Sequence, residues 1–418
     1  MTSLDLERAI QQLMAQSDLL ENPAGFWYPL ARPSFGPEEV LEAIESMTSY
    51  RTTMWDKTRK FEEAFSDYVG AESVMVNSGS SADLLLIYSL LESSGGFLRP
   101  GDEVLVPAVT WPTQLWSVAM AGLKPVLVDI DPNTLNMSGE SIRSKITNRT
   151  KAIFVVHLMG NPANLDEIFK IADEFGLHVL EDCCESLGAH WSGKHVGSQS
   201  YGGTFSFFFS HHICTMEGGM IIARDPEVAE RLRLLRAHGW ARNLKNRSHP
   251  LLDLTKDSSL DPRYTFLEWG FNVRPTELQA GFGLHQLRRF ANFKTNRERT
   301  YSIVRESLHN LESIARMPEV APQADPCWFA LPIILQPECP HERNTVTAKL
   351  QSLGVETRPI VAGNLAMQPV RRRFEWLRND DLPGATLIHE RGFYVGLHSE
   401  FNAHEVTHLV DCLTNAID

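Results

Sequence analysis

The chain has 418 residues, 43% of them hydrophobic, which is enough for one large core and a second, smaller domain. Its net charge of -13 leaves no basic stripe for nucleic acid or for an anionic membrane surface, so any phosphate must be held locally. Six scattered cysteines without a CxxC pair fit neither a disulfide framework nor a zinc site, and no apolar run reaches the length of a membrane span, which points to a cytoplasmic protein with no metal centre.

The first twenty residues, MTSLDLERAIQQLMAQSDLL, carry early acids and apolar side chains at helical spacing, which predicts an amphipathic helix and not a secretory signal. From about 73 to 225, short β-rich runs alternate with helix-length stretches: ESVMVNS, DEVLVPAVT, KPVLVDI, KAIFVVHLM, LHVLEDCC, GTFSFFFS and GGMIIARD. Near-continuous apolar strands of this kind suit a sheet covered on both faces, so the fold class is α/β with a mostly parallel sheet. The next helix opens with Asp225 as N-cap and Pro226 at its first position. Residues 242–265 are polar and irregular, a loop over the site or at a subunit contact. A long helical stretch beginning TELQAGF leads into a final section that reads as a smaller α/β domain, with the N-terminal segment packed near it. The expected division is an N-terminal segment (1–50), a large cofactor-binding domain (51–300) and a small C-terminal domain (301–418).

Three stretches carry chemistry. In VMVNSGSSADL a strand gives way to a helix at Gly79, Ser80 and Ser81, where small residues let backbone N–H groups close on an anion. A plain turn and cap fits the same residues. In VLEDCCESLGA, Asp182 ends an apolar strand, where open α/β sheets place their ligands, and Glu185 could reach the same space; both could equally be capping carboxylates. In TFSFFFSHHICTMEGGMIIA, Ser206 is followed by the pair His211 and His212 and by Glu217, Gly218 and Gly219, the glycines reading as turn formers.

Taken in order, RPSFGPEEV, FEEAFSDYVG, NSGSSADL, PGDEVLVPAVTWPT, VDIDPNTLNM, GNPANLDEI, EDCCESLGA, SFFFSHHICTMEGG and FNVRPTELQA resemble the sugar aminotransferases of the DegT/DnrJ/EryC1/StrS family. The resemblance implies the pyridoxal phosphate-dependent transferase fold of type I, like that of aspartate aminotransferase. It also implies that Gly79, Ser80 and Ser206 hold the cofactor phosphate, that Trp111 lies on one face of the pyridine ring, and that Asp182 pairs with the ring nitrogen. Asn272 would approach the phosphate from a neighbouring subunit, which makes a homodimer part of the expectation.

One position departs from the family. The lysine that bonds the cofactor lies five residues after the serine in the aminotransferases, and here that residue is His211. Imidazole cannot replace the lysine amine in that bond, and the nearest lysine, Lys194 in WSGKHVGS, reads as part of a surface hairpin. Histidine still titrates near neutrality and moves protons.

The pattern is similar to the family's dehydratase branch, which holds pyridoxal or pyridoxamine 5'-phosphate noncovalently and removes the C3 hydroxyl of nucleotide-linked 4-keto-6-deoxy sugars, as in lipopolysaccharide O-antigen synthesis. This implies a GDP-linked keto-sugar, glutamate as amino donor, and His211, Asp182 and Glu185 as the catalytic set. Glu185 stands where a plain aminotransferase carries glutamine. Relatives with an iron-sulfur cluster carry cysteines in the segment matching LRAHGWARNLKNRSHPL; this one has none, so no cluster is expected. The competing readings are an aminotransferase using another lysine and a noncatalytic binder of the cofactor or a sugar nucleotide.

Overall fold

The computed structural model describes residues 3–15, 25–246, 252–253, 260–377, 381–398 and 401–418. The amphipathic N-terminus forms α1 (Ser3–Ala15), followed by α2 (Pro37–Thr48) and α3 (Asp56–Val69). Strands β1 (Glu72–Val76), β2 (Glu103–Pro107), β3 (Lys124–Val128), β4 (Thr150–Val156) and β5 (His178–Asp182) then alternate with helices α4 (Gly79–Ser89), α5 (Thr113–Met120), α6 (Gly139–Lys145) and α7 (Leu165–Phe175). Next come a hairpin of two-residue strands, β6 (His190–Trp191) and β7 (Lys194–His195), then β8 (Gly202–Ser206), β9 (Gly219–Ala223), α8 (Pro226–Arg236) and the long α9 (Glu277–Ser307).

Seven of these strands form one sheet in the order β1-β9-β8-β5-β4-β2-β3. All run parallel except β9, which is antiparallel to both β1 and β8. The strands lack the alternation of a half-solvated sheet because helices cover both faces: every residue of β2 and of β9 is buried. Each large aliphatic side chain sequestered in this way contributes about 1.5–3 kcal/mol. A parallel sheet brings the carboxyl ends of β1, β2, β4, β5 and β8 to one edge, where the site forms.

The C-terminal part adds β10 (Ala315–Arg316), β11 (Ala324–Asp325), β12 (Leu331–Leu335), α10 (Arg343–Ser352), β13 (Thr357–Pro359), α11 (Pro383–Arg391), β14 (Gly392–Val395) and α12 (Ala403–Ile417). Strands β10-β12-β14-β13 make an antiparallel sheet with its own core of Leu331, Ile333, Val346, Phe393 and Leu409. Tyr28 from the N-terminal segment belongs to that core, and its N–H donates to Gly354 O at 3.1 Å. Helix α9 runs unbroken through the expected 300/301 boundary, placing Tyr301 and Val304 in the small core. Among the described residues, no helix is long and apolar enough to cross a membrane.

Candidate active site

A cavity of about 560 Å³ opens at the carboxyl ends of the parallel strands, a size suited to a cofactor with part of a substrate. Gly79, Ser80, Trp111, Asp182, Glu185, Ser206 and His211 all line it. Sequence positions spread over more than a hundred residues therefore converge on one space.

The anion cradle is built by the β1–α4 junction. Ser78 caps α4, its Oγ accepting from Ser81 N at 3.1 Å, and Ser81 Oγ donates to Asn77 Oδ1 at 2.6 Å. The free N–H groups of the first helical turn then face the cavity with the positive end of the helix dipole. A Cβ on Gly79 would stand 2.5 Å from Ser206 Cβ, so glycine is needed to bring the helix start against the end of β8. Gly219 does the same on the other side, where a Cβ would lie 2.4 Å from the Ser78 carbonyl oxygen. Neither Gly218 nor Gly219 has a left-handed backbone; what both positions require of glycine is close approach.

Trp111 sits between β2 and α5 with 60% of its surface exposed, an indole face open at the cavity rim. Asp182 ends β5, is 5% exposed, and accepts from Cys184 N at 2.8 Å. Burial holds its carboxyl above the ordinary range. Glu185 accepts from Met159 N at 2.8 Å; burial, with Asp182 close by, raises it to about 7.

His211 lies on the loop between β8 and β9, with Nδ1 2.8 Å from Cys184 O. A carbonyl can only accept, so Nδ1 carries the proton and the Nε2 lone pair is left for the cavity. Burial lowers this imidazole to about 4, which corrects the expectation that it titrates near neutrality: the ring loses more hydration than one carbonyl returns. It is a neutral base at physiological pH. His212 does not line the cavity; it is buried, with Nε2 3.0 Å from Cys327 O.

Asn272 is outside the cavity, exposed, with Oδ1 accepting from Arg274 Nε at 2.9 Å. Its neighbour Val273 accepts from Asn77 N at 3.0 Å, so Asn272 stands at the outer side of the cradle. Lys194 is exposed in the β6–β7 hairpin, and among the described residues no lysine lines the cavity. The 242–265 stretch lies partly outside the described residues; of its described residues, Arg242 to Lys245 line a separate crevice against α3, and Pro262–Tyr264 form a single helical turn.

Several lining residues were not singled out from sequence: Asp83, Gln114, Phe329, Arg358 and Tyr394. Asp83 leaves a signal, a lone acid in the otherwise apolar helix GSSADLLLIYS. Phe329, Arg358 and Tyr394 come from the C-terminal part of the chain and carry no local motif.

The donors present fit pyridoxal phosphate: a phosphate cradle that a Cβ would fill, an open aromatic face and a buried carboxylate for a ring nitrogen. Comparison with known proteins agrees. The family model for the DegT/DnrJ/EryC1/StrS aminotransferase family matches residues 33–414. The chain belongs to this family. It is 37% identical over 391 residues to the GDP-4-keto-6-deoxy-D-mannose 3-dehydratase of Yersinia pseudotuberculosis, covering 92% of this chain and 98% of that one. The solved E. coli GDP-4-keto-6-deoxy-D-mannose-3-dehydratase with bound hydrated PLP superposes with a TM-score of 0.87 at 33% identity, over 93% of this chain and 99% of that one. A structure of a GDP-4-keto-6-deoxymannose-3-dehydratase with a trapped PLP-glutamate geminal diamine gives 0.84 at 32%, over 92% of this chain and 100% of that one. The aminotransferase-like fold expected from sequence is the fold observed.

Proposed function

We propose that the protein is a 3-dehydratase that uses noncovalent pyridoxal or pyridoxamine phosphate to remove the C3 hydroxyl of a GDP-linked 4-keto-6-deoxy sugar, with glutamate as amino donor. The observation that carries this reading is His211 in a cavity whose described lining holds no lysine. Its support comes also from relatives named for that reaction and from one of them captured with PLP and glutamate.

When bound, the cofactor supplies an amine and an electron-accepting ring. Gly79, Ser80 and Ser206 would hold its phosphate, and Trp111 would cover a ring face. Asp182 would keep the ring nitrogen protonated. His211, neutral and with Nε2 free, takes a proton at the carbon bearing the amine and returns it to the departing hydroxyl oxygen. Glu185, poised to titrate at about 7, exchanges a proton with water during hydrolysis of the released product. Against the aminotransferase alternative stands the lack of a lysine among the described residues that line the cavity.

The same reading includes a homodimer in which Asn272 serves the partner's cradle, a cytoplasmic setting, a large domain over 51–300 and a small one over 301–418, and a place in O-antigen deoxysugar synthesis. The cysteine-free segment 235–251 supports a reaction without an iron-sulfur cluster. The test is incubation with pyridoxamine phosphate, glutamate and GDP-, CDP- or dTDP-linked 4-keto-6-deoxy sugars, read by mass spectrometry. A GDP-sugar product lacking the C3 oxygen is expected; unchanged sugars, or a stable amino sugar, overturn the reading.

A further inference from the structure

The floor of the cavity holds a second carboxyl that the steps above do not use. Asp83 lies in the second turn of α4, 1% exposed, in a helix whose buried residues include the apolar Ala82, Leu85, Leu86 and Ile87. Its Oδ1 is 2.6 Å from Thr204 Oγ1 on β8, and it lines the cavity. One oxygen of Asp83, one of Asp182 and the sulfur of Cys184 lie within 4.8 Å of one another. The other titratable groups facing this pair are Cys183, beside Cys184 in the turn after β5, Glu185 one residue further on, whose carboxyl Asp182 helps to raise, and His157 after β4.

Two carboxyls this close in a buried site do not both ionise; they share a proton and titrate together. A hydroxyl partner such as Thr204 can stand beside either form of Asp83, so nothing in the packing demands the charge. An apolar residue would fill the helix face at less cost, which makes a buried acid here an outlier in need of a chemical reason.

We propose that Asp83 is a positioning residue for the cofactor ring: together with Asp182 it stores the proton that the ring nitrogen carries once bound. The balance is simple. Before binding, the pair holds one proton and one negative charge, and the ring nitrogen is neutral. After binding, the proton has passed from oxygen to nitrogen by way of Asp182, leaving two carboxylates around one pyridinium. The net charge of the site is unchanged, and no proton is drawn from solvent into a buried place. This inference rests on the cofactor reading above.

Calorimetric titration of pyridoxamine phosphate into the full chain tests it, run in two buffers of different ionisation heat at a pH above the free ring's own pKa. The difference in heat gives the protons taken up per cofactor. The wild-type chain is expected to take up close to none, and Asp83→Asn, which keeps the shape and an acceptor for Thr204, about one. Equal uptake in the two chains overturns the inference while leaving the cofactor reading intact. Absence of binding to the wild type defeats the cofactor reading and the inference together. If Asp83→Asn fails to fold, the wild type decides alone: uptake of about one proton sinks the proposal.

Discussion

Two buried carboxylates, Glu277 and Asp182, show how differently this chain treats the same chemical group. Glu277, at the start of α9 and 1% exposed, accepts from Trp55 N, Lys57 N, Thr58 N and Thr58 Oγ1 at 2.6, 2.7, 3.0 and 2.8 Å. It neutralises the orphan donors of the first turn of α3 and locks that helix to α9. Asp182 is buried nearly as deeply, yet receives one backbone N–H and sits near a second acid. A carboxylate that serves the fold is saturated with donors. One that serves chemistry is left in want of a partner, and its raised affinity for protons is the trace of that want.

The sharpest test lies on the chemical side. His211→Asn removes the lone pair assigned to the proton transfers of C3 loss while keeping a polar side chain, so C3 loss should fall by about 10²- to 10⁴-fold. Cofactor affinity, followed by absorbance titration, should hold. His211→Lys should instead gain a borohydride-reducible link to pyridoxal phosphate, seen in the mass of the intact chain.

The comparison itself is broken or kept by a matched pair. Glu277→Gln should cost about 2 kcal/mol in urea unfolding, because one amide oxygen cannot satisfy three backbone donors. Asp182→Asn should leave stability within about 0.5 kcal/mol, or raise it, and abolish turnover. Loss of stability in both variants would erase the distinction.

Glu185 gives a pH signature. The fold raises its carboxyl from 4.5 to about 7, so the folded chain binds the proton more tightly than the unfolded one. That stabilisation is complete below the unfolded value and is lost as pH rises through 7. Urea midpoints across this window should flatten in Glu185→Gln, and a limb of the rate profile near neutrality should vanish with them. His211 runs the other way: its lowered value costs stability as pH falls from 6.5 towards 4. The smallest effect belongs to Trp111→Ala, which should weaken cofactor binding by about 1 kcal/mol, or about fivefold, read as a dissociation constant.

The sheet was legible from sequence because its strands are long apolar runs whose partners are covered on both sides; β4, reading TKAIFVV, could be little else. The β1–α4 cradle and Asp182 were legible because anion sites and strand ends have local signatures. The protonation of His211 was not, since it depends on how much water the surrounding fold removes. Nor were Phe329, Arg358 and Tyr394, which reach the cavity from the C-terminal part of the chain across long sequence separations. Asp83 was printed in plain view, an acid in an apolar helix, but its meaning needs Asp182 beside it.

The bond between His211 Nδ1 and the Cys184 carbonyl has a stereochemical consequence. With one nitrogen tied to the backbone, a single lone pair must service both transfers, so both occur on the same face of the planar system it addresses. A deuteron lifted at the first carbon should then leave with the departing hydroxyl, in part before it can wash out into bulk solvent.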